Sequence, residues 1–228
     1  MHPHHIAIIP DGNRRWAQEK GLKNSDGHTE GVRSLRTILD EAIAQGVTYL
    51  SAWGTSRDNV LKRSVNEVRF LFKLFLEHFN DLLTSETITK NQVRVRVIGE
   101  WRDYFPAKLK KTIDELQEKT KKFSRHHLTF LMAYDGRREM LAAINEARKI
   151  SQPVNEKVLR KLMWTGELPP VDLVIRTGGE PHWSSGFMMW NTADAEFYFT
   201  RDLWPDFKEK QFAAALAEFE KRRRMGGG

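Results

Sequence analysis

Short continuous apolar runs alternate along this chain with longer stretches in which apolar residues recur every three or four positions. Ile6-Ala7-Ile8-Ile9 is unbroken, the pattern of a strand buried on both faces. Residues 28–45 place Val32, Leu35, Ile38, Leu39 and Ile43 on one helical face and stop at Gly46. Residues 48–55 predict a second strand. Residues 65–83 predict a long helix with Val68, Leu71, Phe72, Phe75, Phe79 and Leu82 on one side and Phe70, Leu74 and Leu76 elsewhere. The run "VRVRVI" at 93–98 alternates, predicting a strand with one polar face. A charged amphipathic helix over 105–121, a strand over 128–134 and a helix over 137–150 follow. A short helix over 154–164 precedes Pro169-Pro170, with strands over 171–175 and 195–200 beyond. Phe212, Leu216 and Phe219 mark a final helix, and "KRRRMGGG" from 221 is expected to fray.

Strands separated by helices predict an α/β fold, a mainly parallel central sheet flanked by helices on both faces. No internal repeat breaks the pattern, and 228 residues suit a single domain over 1–228. Hydrophobic residues make up 40%, enough for a core, while 29% charged residues and a mean hydropathy of −0.57 argue against a membrane-embedded protein. No run of about 18 apolar residues predicts a membrane-crossing helix, and no secretory leader pattern is visible. Cysteine is absent, which excludes disulfides and thiolate metal sites and fits a reducing cytosol. The net charge of +7 suits a solvated basic surface, an anionic ligand, nucleic acid or an acidic membrane face. There is no zinc-finger spacing, RNA-binding aromatic signature or helix-turn-helix pattern, so nucleic acid is not an expected partner.

In parallel sheets ligands bind beyond the carboxyl ends of the strands. Several predicted ends carry polar clusters: Asp11-Gly12-Asn13, Ser56-Arg57-Asp58-Asn59, Tyr134-Asp135-Gly136-Arg137 and Arg176-Thr177-Gly178-Gly179-Glu180. Asp11 fits a helix N-cap. It also fits a diphosphate cradle, in which Gly12 lets backbone approach, Arg14 and Arg15 donate charge-assisted hydrogen bonds, and Asp11 holds Mg²⁺ against phosphate oxygens. Arg176 is either a surface arginine beside a turn or, with Ser184 and Ser185, a second anion site. The helix over 65–83 is apolar over more than one stripe, so it is buried core or lines an apolar tunnel suited to a prenyl chain.

Together these blocks resemble the cis-prenyltransferase family, typified by undecaprenyl diphosphate synthase, from about residue 5 to 207. "HIAIIPDGNRRWA" resembles its opening signature, with Pro10 where methionine is usual and Arg14 where glycine is common. "GHTEG", "SRDNVLKRSVNEV", "VRVIG", "YDGRREM", "VDLVIRTGGE", "FMMWNTADAEFYFT" and "WPDF" resemble later blocks. The resemblance implies a homodimer with a hydrophobic tunnel. It implies a reaction joining isopentenyl diphosphate to an allylic diphosphate, with a cis double bond formed and diphosphate released. By position, Asp11 would be the catalytic acid that engages Mg²⁺, and Gly12, Asn13 and Arg15 would hold the allylic diphosphate. His28 would assist diphosphate departure, and Ser56 and Asn59 would sit at the reacting carbons. Arg176 and Ser184 would bind isopentenyl diphosphate, and Glu196 would reach a metal across the dimer interface. Trp16, Phe72 and Phe75 are candidates for the tunnel wall. A cytoplasmic enzyme is implied; the basic C-terminal residues suit peripheral contact with an anionic membrane, although a charge run is more often simply solvated.

The departures are local. Asn24 replaces an arginine usual before the Gly-His pair, and Asp135 a glycine. "PHWSSGF" replaces a run of Arg-x-Ser-Asn type and is one residue longer. His182 thereby takes the place of the second isopentenyl-binding arginine, and Pro181 that of a histidine that binds metal in some members. An extra residue after Asn59 leaves Lys62 or Arg63 to fill the family arginine's place, and the register of Glu67 favours Arg63. An alternative is a non-catalytic prenyl-diphosphate-binding partner subunit, against which the retained Asp11, Arg15, His28, Asn59, Arg176 and Glu196 argue.

Overall fold

The strands are β1 (His5–Ile9), β2 (Tyr49–Ser56), β3 (Val93–Ile98), β4 (His126–Tyr134), β5 (Leu173–Arg176) and β6 (Glu196–Phe199). In the computed structural model, which describes residues 2–151 and 153–226, with side chains through Arg222, they form one sheet in the order β3-β4-β2-β1-β5-β6. Every neighbouring pair is parallel. The expected α/β architecture is therefore present. The helices are α1 (Asn13–Glu19), α2 (Asn24–Ala44), α3 (Arg57–Lys62), α4 (Val65–Thr84), α5 (Glu86–Lys90), α6 (Trp101–Tyr104), α7 (Ala107–Thr120), α8 (Gly136–Ala147), α9 (Glu156–Leu162) and α10 (Glu209–Gly226).

Alternation along β1 divides the core. Ile6 and Ile8 point to one face with Ile38 and Leu39 of α2, Phe75 and Phe79 of α4, Ile113 of α7 and Phe212 of α10. Ala7 and Ile9 point to the other, where Leu168, Phe187 and Met188 cover the sheet. In α4 the buried positions are Leu71, Leu74, Phe75, His78, Phe79 and Leu82, a single 3–4 ridge. Polar caps set the helix starts. Ser56 accepts from the Asn59 N–H, Ser64 from that of Glu67, and Asp135 from those of Arg137 and Arg138.

The segment from 221 does not fray where expected. Helix α10 continues through Gly226, and Arg222 donates to the Phe197 carbonyl at 2.8 Å, tying it to β6. Residues 227 and 228 lie outside the described residues. Among the described residues no helix is long and apolar enough to cross a membrane.

Candidate active site

Parallel pairing brings the strand ends together: Ile9 is opposite Arg176, and Ser56 opposite Tyr134. Between β1 and α1 the helix N-cap is Gly12, at φ 109°, a left-handed conformation that favours glycine. Asp11 is therefore not the cap, and its carboxylate is left for other partners. Its backbone is stitched to the end of β5: the Asp11 N–H donates to Thr177 Oγ1 at 2.9 Å, and that hydroxyl donates to the Asp11 carbonyl at 2.7 Å. A side chain at Gly31 would press its Cβ within 2.3 Å of Asn13 Oδ1, so α1 and α2 cross closely there.

The Asp11 carboxylate faces two guanidinium groups, Arg176 Nη2 at 3.1 Å from Oδ2 and Arg15 Nη2 at 3.5 Å from Oδ1. Arg176 is buried and also donates to the His182 carbonyl and to Ser184 Oγ, each at 2.6 Å. A buried guanidinium needs such partners. Across the opening, Arg63 Nη1 is 2.9 Å from Glu67 Oε1 and 3.4 Å from His28 Nε2. Burial, and then the charge of Arg63, lowers the His28 pKa to about 4, so the ring is neutral at pH 7 and presents one N–H. Asn13 Oδ1 is buried without a hydrogen-bond partner.

These groups open on one cavity of about 590 Å³. Asp11, Gly12, Asn13, Arg15, His28, Ser56, Asn59, Arg63, Arg176 and Ser184, all singled out from the sequence, line it. Lys62 does not; it is exposed and pairs with Asp58 at 2.6 Å. The remaining wall is mainly apolar, with Leu35, Leu71, Phe75, Phe79, Phe130 and Met132. Cations outnumber acids at the polar end, which suits a polyanion.

Four expected residues stand off this wall. Trp16 is not part of it, because its indole N–H donates to Asp206 at 2.7 Å and Lys20 covers its ring. The His182 ring is exposed, 3.1 Å from Ser184 Oγ, and only its carbonyl engages Arg176. Glu196 is opposite Leu173 at the amino end of β5, so one chain does not bring it to Asp11; it lies 3.5 Å from Arg222. Phe72 packs on Phe105 instead of the cavity. Sequence reasoning missed Glu67, which orients Arg63 and His28. Its signal was the capping pattern Ser64-x-x-Glu67 with Arg63 four residues before it.

Among the described residues no group of three metal-ligating side chains exists. Asp11 offers a single partly exposed carboxylate, a donor set that fits Mg²⁺ shared with substrate phosphates and water, not an all-protein cage.

A family model described as putative undecaprenyl diphosphate synthase matches residues 9–227. The chain is 37% identical over 233 residues to an isoprenyl transferase of Thermotoga maritima, covering 99% of this chain and 97% of that protein. It is 36% identical over 232 residues to a tritrans,polycis-undecaprenyl-diphosphate synthase (geranylgeranyl-diphosphate specific) of Thermoplasma volcanium, covering 99% and 89%. Among solved structures, lavandulyl diphosphate synthase from Lavandula x intermedia, in complex with dimethylallyl diphosphate, superposes with a TM-score of 0.89 at 30% identity, covering 96% of this chain and 95% of that one. The match over nearly the whole chain, on the sheet and strand ends described above, places this protein in the cis-prenyltransferase family of undecaprenyl diphosphate synthases.

Proposed function

We propose that this protein condenses isopentenyl diphosphate with an allylic prenyl diphosphate in a Mg²⁺-dependent reaction that forms Z double bonds and releases diphosphate. The observation that carries the reading is one cavity that has both a cation-rich end and an apolar wall. Such a cavity holds a diphosphate and a hydrocarbon at once. The dimethylallyl diphosphate in the lavender enzyme and the geranylgeranyl specificity named for the Thermoplasma relative both support an allylic diphosphate as substrate.

Arg15, Asn13 and the backbone at Gly12 hold the allylic diphosphate, with Arg63 held toward it by Glu67. Neutral His28 donates a hydrogen bond to the departing group without needing a proton from solution. Arg176 and Ser184, already bonded to each other, receive isopentenyl diphosphate. Asp11 would hold Mg²⁺, which supplies Lewis-acid stabilisation of the charge on the leaving diphosphate. Ser56 and Asn59 border the carbons that join, and the prenyl chain runs along Phe75 and Phe79 as the tunnel wall. The protein works in the cytoplasm as a homodimer, in which Glu196 reaches the partner's metal, and meets the membrane peripherally through its basic C-terminal residues.

Turnover tests this directly. With Mg²⁺, isopentenyl diphosphate and a panel of dimethylallyl, geranyl, farnesyl and geranylgeranyl diphosphates, mass analysis should show products longer by five-carbon units. Binding of prenyl diphosphates without turnover of any primer would overturn the catalytic reading.

A further inference from the structure

Asn59 rides on α3, and α3 is a weakly anchored element. None of its six residues is buried. Asp58 and Lys62 pair with each other within the helix, and Leu61 is exposed. Its Val60 is only half-buried, so polar contacts at the two ends carry much of the helix's attachment to the body. Arg63 follows its last residue and meets Glu67 and His28. Arg57 is its first residue, and the Arg57 guanidinium reaches away from the cavity to the corner after β3. There its Nε lies 3.1 Å from Glu100 Oε2 and donates to the Tyr104 hydroxyl at 3.1 Å.

Glu100 is well placed as a fixed point. Its side chain is 12% exposed. Its other oxygen, Oε1, accepts from Arg138 Nε at 3.1 Å and Nη2 at 2.8 Å. Arg138 belongs to the first turn of α8, which Asp135 caps, so Glu100 is braced against a rigid helix start. Oε2 receives no well-directed hydrogen bond, so charge, and not a second directed bond, ties Arg57 to it. Arg57, Glu100 and Arg138 are all absent from the cavity wall.

We propose that Glu100 is a positioning residue: through Arg57 it fixes α3, and with it Asn59, at the rim of the cavity. The inference rests on the reading of Asn59 as a residue beside the reacting carbons. It makes the orientation of the reaction depend on an ion pair outside the site, since small misplacements of positioning groups cost large factors in rate.

The test uses the full chain with Glu100→Gln, Arg57→Gln, the double variant and the conservative Arg57→Lys. Three readouts are needed: steady-state kinetics, the Kd of an unreactive allylic thiolodiphosphate, and amide exchange over 57–62. Each single Gln variant should lower kcat about tenfold, leave the Kd within about twofold, and speed exchange in α3 while the sheet stays protected. The double variant should be no worse than the more damaging single one, because both break one contact, and Arg57→Lys should keep most of the rate. Additive losses, unchanged α3 exchange, or loss of protection throughout the sheet would overturn the proposal. If α3 loosens selectively in a protein whose wild type turns over no substrate, the clamp stands and the reading of Asn59 falls.

Discussion

The two ends of the cavity are built by different rules. At the polar end three charged groups are held by directed partners: Asp11 by Arg176 and Thr177, Arg176 by Ser184 and the His182 carbonyl, Arg63 by Glu67. These partners come from the end of β5 and the residue after it, from α4 and from the loop at 182–184, so the geometry exists only in the folded chain. At the apolar end one ridge of α4 faces Phe130 and Met132 of β4. Contacts there are non-directional, and similar volume serves nearly as well as identity. His78 brings a titratable ring into that wall, and neither of its nitrogens has a hydrogen-bond partner among the described residues. Substitutions at the polar end should therefore damage chemistry, and those at the apolar end should change stability and the fit of the chain.

The sharpest contrast is expected from Asp11→Asn, which keeps the shape but loses the carboxylate. It should lower kcat by roughly 10²–10³-fold while thermal stability stays close to wild type; a comparable loss of melting temperature would erase the distinction between the two ends. Arg176→Ala comes next. Losing charge-assisted hydrogen bonds of about 1.5–3 kcal/mol should lower kcat/KM for isopentenyl diphosphate roughly 10–150-fold, measured by varying that substrate alone. The apolar end is tested through acid stability. Burial, followed by the charge of Arg36, lowers the His78 pKa to about 4 from 6.5. Above pH 6.5 the ring is neutral in both folded and unfolded chains; between 6.5 and 4 only the unfolded chain takes the proton. His78 thus removes about 1.4 kcal/mol of stability per pH unit across that window. His5 and His28, also near 4, add to the same trend. Denaturant titrations should show a shallower acid slope, and a higher stability at pH 7, for His78→Leu. An unchanged slope would mean that His78 takes its proton as readily in the folded chain as in the unfolded one, and would contradict its burial in a dry wall. The smallest effect is expected from His182→Arg, which should lower the KM for isopentenyl diphosphate a few-fold by adding a forked donor beside Ser184. An unchanged KM would show that the exposed ring position lies off the substrate.

The sheet was legible because its strands are short apolar runs and its long helices keep one clean period. Helix α3 was not, since six residues of which none is fully buried leave no periodicity. Asp11, Arg15 and Arg176 could be read because the glycines and charges that make their turns are adjacent in sequence. Trp16 sits in the same string, yet its ring is turned by Asp206, a partner 190 residues away that no local pattern reveals. Glu67 had a local signal in Ser64 and Arg63, but its contact with His28 arises only where α4 meets α2. The C-terminal basic run looked solvated, but Arg222 finds the edge of β6. Local chemistry was thus visible from sequence, and long-range pairing was not.

The central claim is that one cavity holds a diphosphate at its polar end and a hydrocarbon chain along its apolar wall. Calorimetric titration with inorganic diphosphate and with unreactive prenyl thiolodiphosphates of five, ten and fifteen carbons tests it most directly. Burial of each added five-carbon unit should tighten binding by about tenfold or more until the apolar wall is filled, with an increasingly negative heat-capacity change. An affinity that follows salt concentration but not chain length would contradict the claim and leave only an anion site.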